Sequence, residues 1–242
     1  MSFERAGPGI PAEHPPSSGL QIGADKSTSP ALRLQILSTE HWSLLASRAL
    51  AWNESFSRAG MFLTTLTGAI VALALVAQAS AFGDGFTLFA LVILPVVLFI
   101  GVATHIRLGA ANYHEALCVT GMNRIRAAYL ELAPDLERYF VMSAHDDQRG
   151  MAITMGMPPG LGAAGWIVQM IASAPAVVTI LNGVTAGAIA ALVAVRAGMG
   201  AAAIVGIGIV GFLVAITLHI LYARGRIAET RSRAPLFPTP EG

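Results

Sequence analysis

The residues with the clearest capacity for chemistry are histidines and arginines at the ends of two apolar segments. His105 and Arg107 close one apolar run, and His219 and Arg224 close another. Such a group could bind an anion or a lipid headgroup, or respond to pH through its imidazoles. The same residue types also anchor helices at a bilayer surface, where their apolar stems lie in lipid and their charges reach water. We therefore treat them as a candidate headgroup or interface cluster, with anchoring as the simpler interpretation.

Three adjacent residues, His145, Asp146 and Asp147, offer imidazole and carboxylate ligands to a divalent cation. Neighbouring residues rarely converge on one ion without further ligands, so this remains a minor alternative. The single cysteine, Cys118, excludes an internal disulfide and any site built from several cysteines. We expect no metal and no cofactor.

Catalytic motifs give little support to an enzyme. The sequence contains no GxxxxGK[ST], HExxH, CxxC or GxSxG pattern, and the GxGxxG match at Gly206–Gly211 lies inside an apolar run with no preceding strand. Glycines in such runs usually allow two helices to approach closely. We therefore predict a packing seam, and its small residues are Gly183, Gly187, Ala191, Gly208 and Gly211. We therefore expect that the protein is not an enzyme.

Four apolar runs carry these residues. The composition is 55% hydrophobic and 12% charged, against about 25% charged in a typical soluble domain. Because a spanning helix needs about 20 apolar residues, we predict spans at 59–82, 86–106, 174–195 and 199–223, with Gly83–Gly85 and Arg196–Gly198 as turns. Ser173 and Pro175 favour a helix start at 174, which leaves 158–172 either as an interfacial segment or as part of one long kinked span.

The segments next to the first hairpin read as helical arms. Apolar residues recur at steps of three and four on both sides, as Leu37, Leu45 and Trp52, and as Leu117, Ile125 and Tyr129. We expect these stripes to pack on each other or on a neighbouring subunit. The alternative places the first arm on the membrane surface with its tryptophans at headgroup depth. His41, on the first stripe, reads as a packing residue. The hairpin unit is 31–157, the second unit is 158–223, and the proline-rich tail 1–30 and basic tail 224–242 are expected to be disordered.

Basic residues decide the expected orientation. Fourteen of the fifteen Lys and Arg residues lie in the N-terminal region, in 107–160 or in the C-terminal tail, and Arg196 alone lies in a short turn. By the positive-inside rule, both termini and both arms are cytoplasmic and the protein lies in the cell's inner (plasma) membrane. The formal net charge of +1 gives no reason to expect a nucleic-acid partner.

Two stretches, LSTEHWSLLASRALAWNESFSRAGMFL and GMNRIRAAYLELAP, are similar to small uncharacterised bacterial membrane proteins. The helix–span–span–helix layout across 31–140 also resembles the two-transmembrane effector modules called SLATT domains, which are associated with bacterial nucleotide-signalling and conflict systems. That resemblance implies a membrane-perturbing or pore-forming output. This chain differs by its second, glycine-rich hairpin.

These observations predict an all-α integral membrane four-helix bundle, made of two transmembrane hairpins with cytoplasmic helical extensions. The expected function is that of a non-enzymatic multi-pass membrane protein, which assembles through its helices and presents a cytoplasmic interaction surface. Its expected partners are the lipid bilayer, further copies of itself and a cytoplasmic protein. The alternatives are an oligomeric channel or membrane-perturbing effector and, less favoured, a transporter.

Overall fold

A computed structural model describes residues 29–157, 165, 167–168, 171–231 and 234–240. Expectations for residues 1–28, and for most of 158–172, concern residues outside this set. The described chain is all-α, and its elements are α1 (Pro30–Ser80), α2 (Asp84–Leu132), a 3-10 helix (Pro134–Tyr139), α3 (Gln148–Thr154), α4 (Ala174–Arg196) and α5 (Ala201–Arg231). Helices α1, α2, α4 and α5 are long and apolar enough to cross a membrane, so the predicted all-α fold with four candidate spans is confirmed and a membrane location is suggested.

Helix α1 joins the predicted first arm and first span without a break over 51 residues. The Ser29 side chain accepts a hydrogen bond from the Leu32 backbone N–H, and Pro30 occupies the first turn, where its missing N–H costs nothing. The turn after α1 comes slightly earlier than predicted, because Ala81 and Phe82 adopt positive φ angles and α2 already begins at Asp84. The Asp84 carboxylate suits the positive end of the α2 dipole.

Helix α2 is central to the bundle. It forms an antiparallel hairpin with α1 and packs along α4, which in turn pairs with α5. The apolar core draws on Phe62 of α1, Val97 and Leu108 of α2, and Val178 of α4. The two predicted hairpins are therefore present and meet chiefly through α2 and α4.

The two arms pack on each other, and charge pairing sets their register. Three interhelical ion pairs join them, namely Arg33–Glu131 (2.8 Å), Arg48–Glu115 (2.9 Å) and Arg107–Glu54. The middle pair is the most enclosed, and both Nε and Nη2 of Arg48 donate to the same Glu115 oxygen. The order of these pairs along both helices defines an antiparallel arrangement that continues the hairpin beyond the spans.

The contact face of the first arm differs from the predicted stripe. Leu44, rather than Leu45, fills the space that Gly121 leaves on α2, and Ala51 is buried beside it along the arm. Leu45 and Trp52 remain 40% and 48% exposed. Leu45 and Trp52 therefore do not pack on the second arm, because that interface uses small residues and ion pairs. Packing of this stripe on a neighbouring subunit stays a prediction.

The expected disordered tail at 224–242 also differs from the structure in its described part. Helix α5 continues to Arg231, and residues 236–239 are hydrogen-bonded to Asp146 and Asp147, about ninety positions earlier in the chain. The composition of the tail shows proline and charge. It does not show that carboxylates in a distant loop accept hydrogen bonds from the tail backbone.

Candidate functional site

Four buried polar side chains from three helices meet between the candidate spans, and we call them the polar knot. They are His105 of α2, Thr179 and Asn182 of α4, and His219 of α5, each at most 9% exposed. Polar and ionisable groups are costly in an apolar environment unless they bond to each other, so such groups are candidate functional residues by default. The knot is therefore the first site to describe.

His105 and Thr179 link α2 to α4. The Thr179 hydroxyl donates to the Pro175 carbonyl at 2.8 Å, within its own helix. With its hydrogen used in this way, Oγ1 can only accept from Nδ1–H of His105, which lies 3.1 Å away. One hydroxyl thus connects a backbone carbonyl to an imidazole on the neighbouring helix.

His219 and Asn182 link α5 to α4 by the same logic. Nδ1 of His219 lies 2.7 Å from the Ala215 carbonyl, which only accepts, so Nδ1 carries the hydrogen. Nε2 therefore accepts from the Asn182 amide nitrogen at 3.0 Å. The two imidazoles meet edge to face with ring centroids 4.5 Å apart. The knot thereby joins three helices through two interhelical hydrogen bonds and one ring contact.

Gly101 of α2 is the position that admits Asn182. A Cβ atom placed on Gly101 would lie 1.8 Å from Oδ1 of Asn182 and 2.7 Å from the Phe62 ring. Oδ1 itself has no hydrogen-bond partner and is fully buried. The amide therefore presses against the glycine backbone, and no other residue type fits there without movement. Sequence reasoning missed Gly101, because the glycine pattern on α2 has no small-residue repeat to mark it.

The predicted headgroup cluster does not assemble as one group. His105 and His219 come together inside the bundle, whereas Arg107 pairs with Glu54 in the arms. Hydrogen bonds from Arg107 and then Arg58 lower the pKa of the Glu54 carboxyl. Arg224 is exposed on α5. The sequence placed all four near span ends but could not indicate that only the histidines face inward.

The predicted small residues line the contact between α4 and α5. A Cβ on Gly187 would lie 2.8 Å from the Gly208 carbonyl oxygen, and one on Gly211 would lie 2.8 Å from Cβ of Ala190. Gly183 faces Ile216 and Phe212, and Gly208 faces Ala191. The two backbones therefore approach closely along this seam, within one chain.

A cavity of about 1100 Å³ opens where the arms meet the start of α4. Trp52 and Phe56 of α1, Asn112 and Glu115 of α2, and Pro175 of α4 contribute to its walls. Its size and largely apolar lining are typical of sites that accept a drug-sized or lipid-like molecule. Trp52, expected to pack between the arms, lines this cavity instead.

Two sequence candidates have local structural explanations. The carboxylates of Asp146 and Asp147 accept backbone N–H groups of the C-terminal segment, and the described residues contain no group of three His, Cys, Asp or Glu that could hold a metal ion. Sγ of Cys118 lies 3.7 Å from Nε2 of His114. Burial raises the pKa of the Cys118 thiol, which is opposite to what an activated nucleophile requires.

No protein-family model, no curated protein and no solved structure matches the chain.

Proposed function

We propose that the chain is a non-enzymatic multi-pass membrane protein that assembles with further copies of itself along α1 and presents its helical arms in the cytoplasm. The observation that supports this is an exposed apolar stripe on α1, which we call the outer face. Its members share one side of the helix and are between 40% and 67% exposed, namely Leu34, Trp42 and Leu45. An exposed apolar surface of this kind is typical of an interaction site.

Continuity of the helix favours a second copy as the occupant. At 1.5 Å per residue, the 51 residues of α1 are about 76 Å long, while the hydrocarbon core of a bilayer is about 30 Å thick. The outer face continues into the candidate span with Leu63 and Ile70, both exposed. A soluble partner would cover only the arm, whereas a second copy would cover the stripe on both sides of the membrane boundary. A straight helix also disfavours an arm lying flat on the membrane surface.

Charge distribution supports a cytoplasmic location for the arms. Each hairpin has one short turn between its candidate spans. Fourteen of the fifteen basic residues lie outside these two turns. The positive-inside rule then assigns the arms, both termini and the outer face to the cytoplasm. A bacterial inner membrane is the membrane that fits the composition and the sequence resemblance.

Two matched pairs of substitutions on the same helix test the proposal. Leu34→Ser with Leu45→Ser changes the outer face, and Leu32→Ser with Leu50→Ser changes two leucines on another side of the arm that are 49% and 70% exposed. We expect native mass measurements and in-membrane crosslinking to give an oligomer for the natural chain and for the control pair. The outer-face pair should give a smaller species.

Two results would overturn the proposal. The natural chain could be monomeric in its membrane, or both pairs could change its mass equally, and either outcome would remove the outer face as an assembly surface. An ionic current from the purified protein in liposomes would instead favour the channel or effector that the layout resemblance implies.

A further inference from the structure

The loop before α3 holds a distant piece of the chain. Residues 143–147, which we call the loop, lie between the 3-10 helix and α3, and residues 236–239, which we call the C-terminal segment, lie against them. The segment reads Leu-Phe-Pro-Thr. Among the described residues, each hydrogen bond that joins the loop to the segment involves Asp146 or Asp147, so these two residues define the contact.

Asp146 forms three hydrogen bonds with the backbone of the C-terminal segment. Its own N–H donates to the Phe237 carbonyl at 3.1 Å, and its Oδ1 accepts from the Phe237 N–H at 2.8 Å. Its Oδ2 accepts from the Leu236 N–H at 3.0 Å. Charge-assisted hydrogen bonds of this type are stronger than those between neutral groups. The Asp146 side chain is fully buried in the contact.

Asp147 recognises Thr239. Its Oδ2 accepts from the Thr239 N–H and its Oδ1 accepts from the Thr239 hydroxyl, both at 3.0 Å. Pro238, which has no N–H, occupies the one place in the segment where the loop presents no acceptor. A bound segment therefore supplies backbone N–H donors from its first, second and fourth residues and a side-chain hydroxyl from its fourth residue.

The loop is held in its accepting conformation by groups outside the segment. Arg124 donates to Oδ2 of Asp146 at 2.7 Å, and the fully buried Asn123 donates to the His145 carbonyl at 2.7 Å. Gly150 donates its N–H to Asp147 at 2.8 Å, and a Cβ there would lie 2.1 Å from the His145 carbonyl oxygen. A preorganised site of this kind loses little ordering entropy when its ligand binds.

We propose that the loop is a peptide-binding site for extended segments in which two non-proline residues precede Pro-Thr or Pro-Ser. The chain's own C-terminal segment is its ligand, bound reversibly and open to exchange with the same sequence supplied in trans. This site lies in the loop before α3, apart from the outer face, and its test is independent of the assembly proposed above.

The test uses the full chain with a spin label at Pro240→Cys in a Cys118→Ala background, since Pro240 is exposed and next to the contact. Label mobility reports the bound and free tail. A synthetic peptide of residues 234–242 is raised to about 20 mM, well above the roughly millimolar effective concentration of a short tether. A scrambled peptide is the control. Thr239→Val removes the hydroxyl, and Thr239→Ser retains it.

We expect an immobile label in the natural sequence and its release by the peptide but not by the scrambled control. Thr239→Val should raise the ratio of free to bound tail about tenfold, as expected for losing a hydrogen bond to a charged group, while Thr239→Ser should leave it nearly unchanged. Unfolding temperature should be the same in all variants. A mobile label in the natural chain, a tail that the peptide does not release, or equal effects of Val and Ser would overturn the proposal.

Discussion

At the residue scale, the polar knot is held by hydrogen bonds that leave little freedom at any of its members. The His219 ring is fixed by a carbonyl on one nitrogen and an amide on the other. Interhelical hydrogen bonds within membranes contribute about 0.6–2 kcal/mol each. The knot has only two such bonds among the described residues, so its main effect is to fix one relative position of α2, α4 and α5.

Gly101 gives the sharpest residue-level prediction. We expect Gly101→Ala to lower stability by about 1–3 kcal/mol, the usual cost of overpacking a filled interior, because the new methyl group meets both Asn182 and Phe62. The measurement is the thermal unfolding of the purified protein in detergent. Gly68→Ala is the control, because a Cβ at that exposed glycine of α1 has no neighbour within 4 Å. Equal unfolding temperatures for the two variants would contradict the geometry of the knot.

Asp146 and Asp147 predict how the tail contact depends on pH. Burial alone would raise the pKa of Asp146, but the backbone N–H groups of Leu236 and Phe237, with Arg124, outweigh it and lower the pKa below the ordinary 3.8. For Asp147, burial is likewise outweighed, here by N–H groups of Gly150 and Thr239, by the Thr239 hydroxyl and by the nearby charge of His145.

A carboxylate with a lowered pKa in the folded state stabilises the contact above its unfolded pKa and loses this effect as the pH falls through the lowered value. The label at Pro240 should therefore stay immobile from neutral pH down to about pH 4 and be released only below the ordinary pKa of 3.8. Release between about pH 5 and pH 7 would contradict control by the two carboxylates.

At the element scale, the seam between α4 and α5 depends on the absence of side chains. Lipid tails are as apolar as leucine, so close backbone contact rather than apolar burial must hold two helices together in a bilayer. We expect Gly187→Leu to lower the unfolding temperature clearly, because even a Cβ there meets the Gly208 carbonyl. The same change at Gly206, which has nothing within 4 Å, should be mild. If the Gly187→Leu and Gly206→Leu variants unfold at the same temperature, the seam contributes nothing to stability.

How far the sequence predicts this fold depends on the range of the interactions involved. Spans and turns follow from local apolar length and from Ser173 and Pro175, and α4 begins at Ala174 as predicted. The arm interface was misjudged because Gly121 and the Arg48–Glu115 pair, rather than large apolar residues, decide which side of α1 faces α2. The knot and the tail contact each require residues from helices or loops far apart in sequence, which no local pattern relates.

At the scale of the whole molecule, a bundle of four candidate spans carries a helical extension at one end. The two turns at the opposite end lie close together, since Arg196 donates to Asp84 at 2.6 Å. The arms, the loop and the C-terminal segment all lie at the other end, where α1 continues beyond its candidate span. We propose that the interaction surfaces are cytoplasmic and that the two turns face the opposite side of the membrane.

Cysteine accessibility in intact cells tests that claim most directly. Native Cys118 is buried and uninformative, so single cysteines belong at exposed positions in a Cys118→Ala background, with Gly85→Cys and Met199→Cys at the turns and Glu40→Cys on the first arm. Gly198 is avoided because its φ of +69° suits glycine. With a membrane-impermeant maleimide, we expect both turn cysteines to label in intact cells and Glu40→Cys to label only after the membrane is opened. Labelling of Glu40→Cys in intact cells, with no labelling of either turn cysteine, would contradict the cytoplasmic placement of the arms.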